Sequence, residues 1–556
     1  MNNTYIKNIV RTITKSFSRY IAIMAIIALG VGFFSGLKCT KPSMVETGNI
    51  YMREHHMFDF KVMSTYGFTE EEIEDMADEE YVLGAEGSFT ADFIHRDEEG
   101  DEAVLKAIVL PDEVNTVRLA DGRMPEAADE CLADAYQYGS DIIGSMINIS
   151  EENEEQTKEC FNHKTYKVVG TAYTPIYLNN ERGTTSLGNG RIKGFVYMLP
   201  EGMSFEYYNE MYITCQNSYD IYTDEYDEFI EDIEDDIKES VNRVTNKRYE
   251  DIKSIAGAAI SVPQIYLSDR SDNVGYICFE NDSSIVESIA KVFPVFFFLI
   301  AALVCSTTMT RMIDDERGQI GTFRALGYSN IAIISKYMIY SGSAAIIGCI
   351  LGYLAGTFAF PTVIWKCYTV LYGFAPIIVK KSASLLSICV LVSLICSMGT
   401  TYFACKNELR CMPADLIRPK APAAGKRILL ERIGFIWRPM KFLHKVTVRN
   451  VFRFKKRMLM MIIGIAGCTA LVMTGLGLGD SISNIAEFQY GDIDVHDVEI
   501  TFSGYVEEAD EENVARVMGD DLSQMVSLYK TSVEYLSENI SKTVYLEAVD
   551  ESDISS

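Results

Sequence analysis

Apolar residues are concentrated in five stretches of the chain that contain no charged side chain. These stretches cover residues 20–37, 292–310, 337–365, 382–405 and 458–479. A helix needs about 20 predominantly apolar residues to cross a bilayer core, whereas apolar runs of about 10–14 residues are more typical of buried helices. No small-residue cleavage site follows the first stretch, so it is interpreted as a retained span and not a signal peptide. The pattern predicts five transmembrane helices.

The predicted fold class is a polytopic α-helical membrane protein with a large extracytoplasmic α+β domain between spans one and two. From the N-terminus we predict a cytoplasmic basic amphipathic helix (1–19), span one (20–37), the extracytoplasmic domain (38–291), span two (292–310), a short cytoplasmic helix (311–330) and span three (331–360). An outer loop (361–381), span four (382–405), a basic cytoplasmic loop with a second amphipathic helix (406–457), span five (458–479) and a second outer segment (480–556) follow.

Basic residues near the span ends predict the orientation, because Lys and Arg are retained on the cytoplasmic side. Span one is preceded by four cations, span two is followed by Arg311, Arg317 and Arg324, and the loop 406–457 contains roughly fifteen basic against about three acidic residues. The N-terminus, the segment after span two and this loop are therefore predicted to be cytoplasmic. A bacterial plasma membrane is the expected location.

The net charge of −28 lies mostly in the predicted outer region, in runs such as "TEEEIEDMADEE" and "DEYDEFIEDIEDDIKES". So acidic a surface argues against a nucleic-acid partner. A solvated outer face explains the charge, and capture of cations or of a cationic peptide is the alternative.

Catalytic and metal-binding motifs are missing from the sequence. His55, His56, His95 and His163 are not spaced as metal ligands, and neither G-x-S-x-G nor H-E-x-x-H occurs. The spacing of the thirteen Cys indicates neither a metal site nor a disulfide framework. One or two disulfides in the outer region remain an alternative that the sequence does not assign. We therefore predict no catalytic residue, no metal site, no cofactor bound by this chain and no enzyme activity.

Short alternating strands and a few helices are predicted in the outer region. Thr69 and Glu72 form a capping-box pattern, with Phe68 and Ile73 as its hydrophobic staple. The segments "FDFKVMSTYG", "EAVLKAIVL", "YKVVGTAYT" and "IKGFVYML" predict strands, and "YDEFIEDIEDDIKESVNRV" predicts a long amphipathic helix.

An internal repeat occurs at an offset of 438 residues. This offset carries four cations onto four others, namely Lys7, Arg11, Lys15 and Arg19 onto Lys445, Arg449, Arg453 and Arg457. An apolar span follows each set directly. Each set predicts a basic amphipathic helix on the inner leaflet, bound to anionic lipid. The repeat predicts a two-part molecule, and the sequence to Ser556 is expected to be a fragment of it.

The polar segment Arg311–Asn330 joins spans two and three with almost no linker. Ile320, Phe323, Ala325 and Leu326 predict an apolar face flanked by Arg317 and Arg324. Gly321 allows close approach and Gly327 a helix stop. A rigid helix there could pass force between the spans; a simple cytoplasmic turn is the alternative.

This segment, "DDERGQIGTFRALGYSNIAIISKYM", resembles the coupling segment of FtsX-like ABC transporter permeases, the type VII group that includes MacB-type and LolC/E-type proteins. The residues that match are Glu316, Arg317, Ile320, Gly321, Arg324, Ala325 and Gly327. Gln319 stands where the family usually has an acid. In the outer region "DGRMPEAADECLAD", "GSMINIS" and "YKVVGTAYTPIYL" look like the pattern of the family's MacB-like periplasmic core domain.

The resemblance implies a permease subunit of the mechanotransmission type, whose coupling helix contacts a separate ATPase that binds ATP and Mg²⁺. The implied contact residues are Glu316, Arg317, Ile320, Gly321, Phe323, Arg324, Ala325, Leu326 and Gly327. No G-x-x-x-x-G-K-[ST] motif occurs in the chain itself. Implied partners are the ATPase, membrane lipid and a second permease half or second copy, and implied substrates are a lipid, lipoprotein, peptide or drug. The alternative is a membrane receptor or regulator that senses a peptide or controls a cell-wall hydrolase.

Overall fold

A computed structural model describes residues 3–97, 102–185, 187–188, 190–256, 262–418, 434–453, 455–493, 495–498, 500, 508–519, 522–537 and 540–549. The helices are α1 (Asn3–Lys15), α2 (Phe17–Glu54), α3 (Glu70–Ala77), α4 (Glu155–Glu159), α5 (Asp224–Ala256), α6 (Val274–Asp315), α7 (Arg317–Ala325), α8 (Asn330–Tyr368), α9 (Ala383–Leu394), α10 (Thr400–Glu408), α11 (Pro413–Ile417), α12 (Gly434–Trp437), α13 (Phe442–Arg453), α14 (Lys455–Ser483), α15 (Ile485–Phe488) and α16 (Glu508–Met518).

The strands are β1 (Phe60–Phe68), β2 (Val82–Ser88), β3 (Thr90–Arg96), β4 (Glu102–Val109), β5 (Arg118–Gly122), β6 (Glu130–Asp134), β7 (Met146–Asn148), β8 (Thr165–Tyr173), β9 (Ile192–Met198), β10 (Tyr208–Cys215), β11 (Ile265–Asp269), β12 (Leu528–Ser537) and β13 (Ile540–Val549). The four strand segments and the long amphipathic helix α5 that the sequence predicts are confirmed.

Five helical segments among the described residues are long and apolar enough to cross a membrane. They are α2, α6, α8, the run Ala383–Glu408 and the part of α14 from Met461 to Ser483. The fourth combines α9 and α10 through a single π turn at Ile395–Gly399. The polytopic helical architecture with a large α+β domain between the first two spans is therefore confirmed.

Helices α2, α6 and α8 are longer than a bilayer core requires. They contain 38, 42 and 39 residues and measure about 57–63 Å at 1.5 Å per residue. The helix of span one thus continues beyond residue 37 to Glu54, and that of span three beyond residue 360 to Tyr368. Both helices pass through a proline, Pro42 and Pro361, where the sequence favours a break. The α+β fold itself lies between Phe60 and Asp272.

Spans one and three pack backbone against backbone. A Cβ added to Gly352 would lie 2.3 Å from the carbonyl oxygen of Ala28, and one added to Gly356 would lie 2.2 Å from that of Gly32. Small residues spaced four apart on both helices permit this approach. A larger side chain at these positions would force the two spans apart.

The outer domain contains two sheets. The first is antiparallel with the strand order β11-β1-β10-β2, and α3 and α5 contribute to its apolar core. The second is a mixed seven-stranded sheet with the order β3-β4-β9-β6-β8-β5, and β7 pairs with β8. Helix α3 begins with the predicted capping box, in which the Thr69 side chain accepts from the amide of Glu72 and the Glu72 side chain accepts from the amide of Thr69.

Arg270, which lies between β11 and α6, connects the end of α2 to the start of α6. The guanidinium of Arg270 donates to the carbonyls of Met57 and Phe58, each at 2.7 Å, just after α2 ends. It also lies 3.1 Å from the buried Asp59, which accepts from Tyr226 of α5 at 2.7 Å. This network fixes the start of α6 to the end of α2.

The chain forms two compact units, Met1–Cys468 and Thr469–Ser556. In the second unit, β12 and β13 form an antiparallel hairpin from Leu528↔Val549 to Ser537↔Ile540. Parts of the predicted second outer segment and of the basic loop 406–457, including residues 419–433, lie outside the described residues.

Candidate coupling site

Helix α7 is joined to α6 by a single residue, so the predicted tight connection is confirmed. Helix α6 ends at Asp315, Glu316 forms the corner, and α7 begins at Arg317. At the other end, four residues separate α7 from α8, whose first turn is capped by the Ser329 hydroxyl accepting from the amide of Ala332 at 3.2 Å. The short joints keep α7 at a fixed angle to both spans.

The carboxylate of Glu316 ties this corner to span three. One of its oxygens accepts from Lys336 Nζ and from the Tyr337 hydroxyl, each at 2.8 Å. Lys336 is only 4% exposed, and a buried charge of this kind needs a partner. Glu316 is therefore a structural residue of the corner and does not point freely into the solvent.

The two arginines of α7 bind the C-terminal end of α10 and the residues directly after it. Arg317 Nε lies 3.2 Å from a carboxylate oxygen of Glu408, and both side chains are largely buried. Arg324 donates to the carbonyl of Leu409 at 2.9 Å and also to that of Cys411. These contacts fix α7 to the end of α10.

Close packing against α11 explains the residue types at positions 320 and 321. Ile320 is buried in the core formed by the spans, together with Leu416. A Cβ on Gly321 would lie 2.9 Å from Ile417 Cγ1 and 3.0 Å from Leu416 Cβ. The close approach predicted for Gly321 is confirmed, and its partner is α11.

Helix α7 ends in a Schellman motif at Gly327, where the sequence predicts a helix stop. Gly327 has φ +88° and donates to the carbonyl of Arg324 at 3.2 Å, while Tyr328 donates to that of Phe323 at 3.1 Å. The rings of Phe323 and Tyr328 pack edge to face, with centroids 5.4 Å apart. Glycine suits this position because L side chains rarely adopt a left-handed backbone.

The predicted single apolar face of α7 is wrong. Ile320 is buried and Phe323 half-buried against the spans, whereas Ala325 and Leu326 are exposed, Leu326 by 70%. Residues five or six positions apart lie on different sides of a helix, so the four cannot share one face. The side that faces away from the protein carries Gln319, Thr322, Ala325, Leu326 and Tyr328, which we call the exposed α7 surface.

Several residues of this site lie far from α7 in the sequence and were not predicted. Glu408 is the last residue of α10 and α11 follows it, and the sequence signal for α11 is Pro413, a residue favoured in the first turn of a helix. Lys336 has a stronger sequence signal, because it is a single cation directly before the uncharged stretch 337–365.

The first basic helix, α1, packs partly on the protein. Its cations Lys7, Arg11 and Lys15 are exposed, while Ile9 is buried. Arg19 differs from the other three, because it forms an ion pair of 2.7 Å with Asp315 at the end of α6. Three of the four predicted cations thus remain free to face an anionic surface.

The second basic helix, α13, ends at the position that corresponds to the end of α1, although both helices end four residues before the last predicted cation, Arg19 or Arg457. An offset of 438 carries Lys15 onto Arg453 at the helix end and Phe17 onto Lys455, where α2 and α14 begin. Lys445 and Arg449 lie over the Trp437 ring, 5.8 and 5.5 Å from its centroid. The side chains of Arg453 and Arg457 lie outside the described residues.

Residues 291–407, which run from the end of the outer domain through spans two, three and four, match the family model described as FtsX-like permease C-terminal. The match confirms, for this part of the chain, the resemblance to FtsX-like permeases that the coupling segment predicts. Proteins of this family are transporter subunits.

Two solved structures are similar to part of the chain. The periplasmic region of MacB from Actinobacillus actinomycetemcomitans is 9% identical, with 40% of this chain and 92% of that chain covered and a TM-score of 0.21. The extracellular domain of the noncanonic ABC-type transporter YknZ from Gram-positive bacteria is 12% identical, with 37% and 99% covered and a TM-score of 0.23. No curated protein matches the chain.

Proposed function

We propose that the chain is the membrane-spanning permease subunit of an ABC transporter of the mechanotransmission type. A separate ATPase subunit binds ATP and Mg²⁺ and docks on the exposed α7 surface from the cytoplasm. Its movement turns α7, and the spans move the outer domain on the far side of a bacterial plasma membrane. The output is export or extraction of a lipid, lipoprotein, peptide or drug.

The observation that carries this proposal is the way α7 is held. Glu316, Arg317 and Arg324 bind it to α8 and to the end of α10, so it cannot turn without moving the spans. Leu326 on its exposed side is 70% exposed, and two further apolar side chains on neighbouring elements are also exposed, Ile331 in α8 by 79% and Met412 before α11 by 73%. Large apolar side chains exposed on and beside a rigidly held helix favour a protein interface there.

The basic helices support the proposed membrane setting. Lys7, Arg11 and Lys15 on α1 and Lys445 on α13 lie beside span ends, where anionic lipid attracts cations. In this proposal the permease works with a second permease half or with a second copy of itself.

A pull-down from the native membranes tests the proposal. The tagged chain is compared with the double variant Ala325→Glu/Leu326→Glu, which changes only exposed positions. Leu83→Glu, at a 67% exposed position of the outer domain, is the matched control. A nucleotide-binding subunit should copurify with the unmodified chain and the control, and the double variant should lose it.

Two results would contradict the proposal. If all three chains recover the same proteins and none binds nucleotide, a receptor or regulator of cell-wall hydrolysis becomes the better explanation. If the ATPase copurifies equally with the double variant, it docks elsewhere and α7 is not the coupling helix.

A further inference from the structure

The loop between spans three and four makes contacts that a simple connection does not need. Residues 369–381 leave α8 in a turn and then run without regular secondary structure to the start of α9. We call this segment the outer tie. It contacts α2, α6, α8 and the outer domain, as the following hydrogen bonds show.

On one side, the outer tie binds a row of polar side chains along α2. Ser43 Oγ accepts from the amide of Lys380 at 3.0 Å, and Thr47 Oγ1 accepts from the amide of Ile378 at 2.9 Å. Cys39 Sγ contacts the carbonyl of Lys380 at 2.9 Å. All three α2 side chains are buried.

The spacing of the two partners explains this register. Residues four apart on a helix are separated by about 6 Å along its axis, and residues two apart on an extended chain by about 6.6 Å. Alternate amides of the tie therefore meet successive turns of α2. Each hydroxyl also donates to a carbonyl of its own helix, at 2.7 Å for both Ser43 and Thr47, so its orientation is fixed.

On the other side, the outer tie binds the outer domain. The amide of Gly373 donates to the hydroxyl of Tyr136, which itself donates to the carbonyl of Leu178 at 3.0 Å. Arg118 donates to the carbonyl of Gly373 at 3.4 Å.

Apolar and polar contacts also fix the tie to the ends of α6 and α8. Phe374 is fully buried between Tyr51, Phe279 and Trp365, with ring centroids 4.8–5.8 Å away. The Tyr372 hydroxyl donates to Asp282 of α6 at 2.7 Å. Backbone hydrogen bonds supplemented by a buried aromatic cluster make a stiff joint.

We propose that the outer tie makes the outer domain follow span three as one body. Helix α8 begins at the coupling corner and ends at the tie, so movement of α7 reaches the outer domain through α8 as well as through α2 and α6. The proposal rests on the proposed function for the origin of the movement. The joint itself is a property of the chain alone and can be tested without an ATPase.

The test uses the full chain in lipid nanodiscs. Ser43→Ala/Thr47→Val removes both hydroxyl acceptors, and Tyr136→Phe removes the contact with Gly373. Thr40→Val is the matched control, because Thr40 is a buried residue of the same helix whose hydroxyl bonds the carbonyl of Gly36 within α2. Spin labels at the exposed Met124 and Val363 report the distance between the outer domain and α8.

Amide hydrogen exchange at Ile378 and Lys380 should become about tenfold faster or more in the double variant, because buried amides lose their acceptors. The spin-label distance distribution should broaden in the double variant and in Tyr136→Phe, but not in Thr40→Val. An unchanged distribution in the first two variants, or equal broadening in Thr40→Val, would overturn the tie. Tyr136→Phe keeps the test decisive if the double variant does not fold. Failure to recover an ATPase would overturn only the proposed function.

Discussion

Lys336 Nζ and Glu316 Oε2 lie 2.8 Å apart across the corner between α6 and α7. The pair joins the helix that enters the coupling segment to the helix that leaves it. In the proposed function, this pair transmits a force on α7 to span three and prevents local movement at the corner.

Replacing one partner of this pair should destabilise the corner more than replacing both. Lys336→Met leaves the Glu316 carboxylate without its cation, and we expect a loss of about 2 kcal/mol. This is below the range of about 3–5 kcal/mol for fully buried pairs, because the Glu316 side chain is 21% exposed. Thermal unfolding in detergent measures the effect. The double variant Glu316→Gln/Lys336→Met should recover more than half of the loss, and equal losses would argue against the pair.

Two glycines of α7 provide a matched comparison for its docking on α11. Gly321→Leu should separate the two helices, since even a Cβ there would lie 2.9 Å from Ile417. Gly318→Leu adds the same side chain to the same helix at a position where a Cβ would have no packing neighbour within 4 Å. Amide exchange in α11 should therefore accelerate only in Gly321→Leu. Equal exchange in the two variants would show that α7 does not pack on α11.

The spans, the tight joint of α7 and its glycine stop were predictable because each depends on residues that are close in sequence. The contacts that fix α7 were not, because Arg324 meets Leu409 across 85 positions. The apolar face predicted for α7 was wrong for a different reason, because Ile320 and Leu326 are six positions apart and lie on different sides of a helix. The outer tie has no sequence signal either, since its binding depends on backbone amides of Ile378 and Lys380.

The outer domain contains a buried ion pair, Arg182–Asp134, and removing one of its partners should destabilise the protein more than Lys336→Met does. Arg182 Nε lies 2.5 Å from Asp134, both side chains are at most 1% exposed, and the guanidinium lies among three aromatic rings. Arg182→Met leaves a buried, unpaired carboxylate, with an expected loss of about 3–5 kcal/mol. Pulse proteolysis in urea measures it, and Asp134→Leu/Arg182→Met should be clearly more stable than the single variant. A single variant as stable as the double would refute this reasoning.

Glu130 should give the outer domain a dependence on acidic pH. Its carboxylate accepts from both Nη groups of Arg123 and from the amide of Glu126, and these hydrogen bonds lower its pKa from 4.5 to about 2. A lowered pKa stabilises the folded state above the unfolded value, and this contribution disappears as the pH falls from about 4.5 to about 2. The difference in melting temperature between the unmodified chain and Glu130→Gln should be constant above pH 5 and shrink below it. A difference independent of pH would contradict the assignment.

Site-specific photo-crosslinking from the exposed α7 surface tests the central claim most directly. A photoreactive residue replaces Leu326 in one sample and Leu83 in the other, and both full-length chains are irradiated in native membranes. We predict that position 326, but not position 83, crosslinks to a separate nucleotide-binding subunit. If position 326 captures no nucleotide-binding chain while the protein is intact in the membrane, α7 is not the docking site of an ATPase.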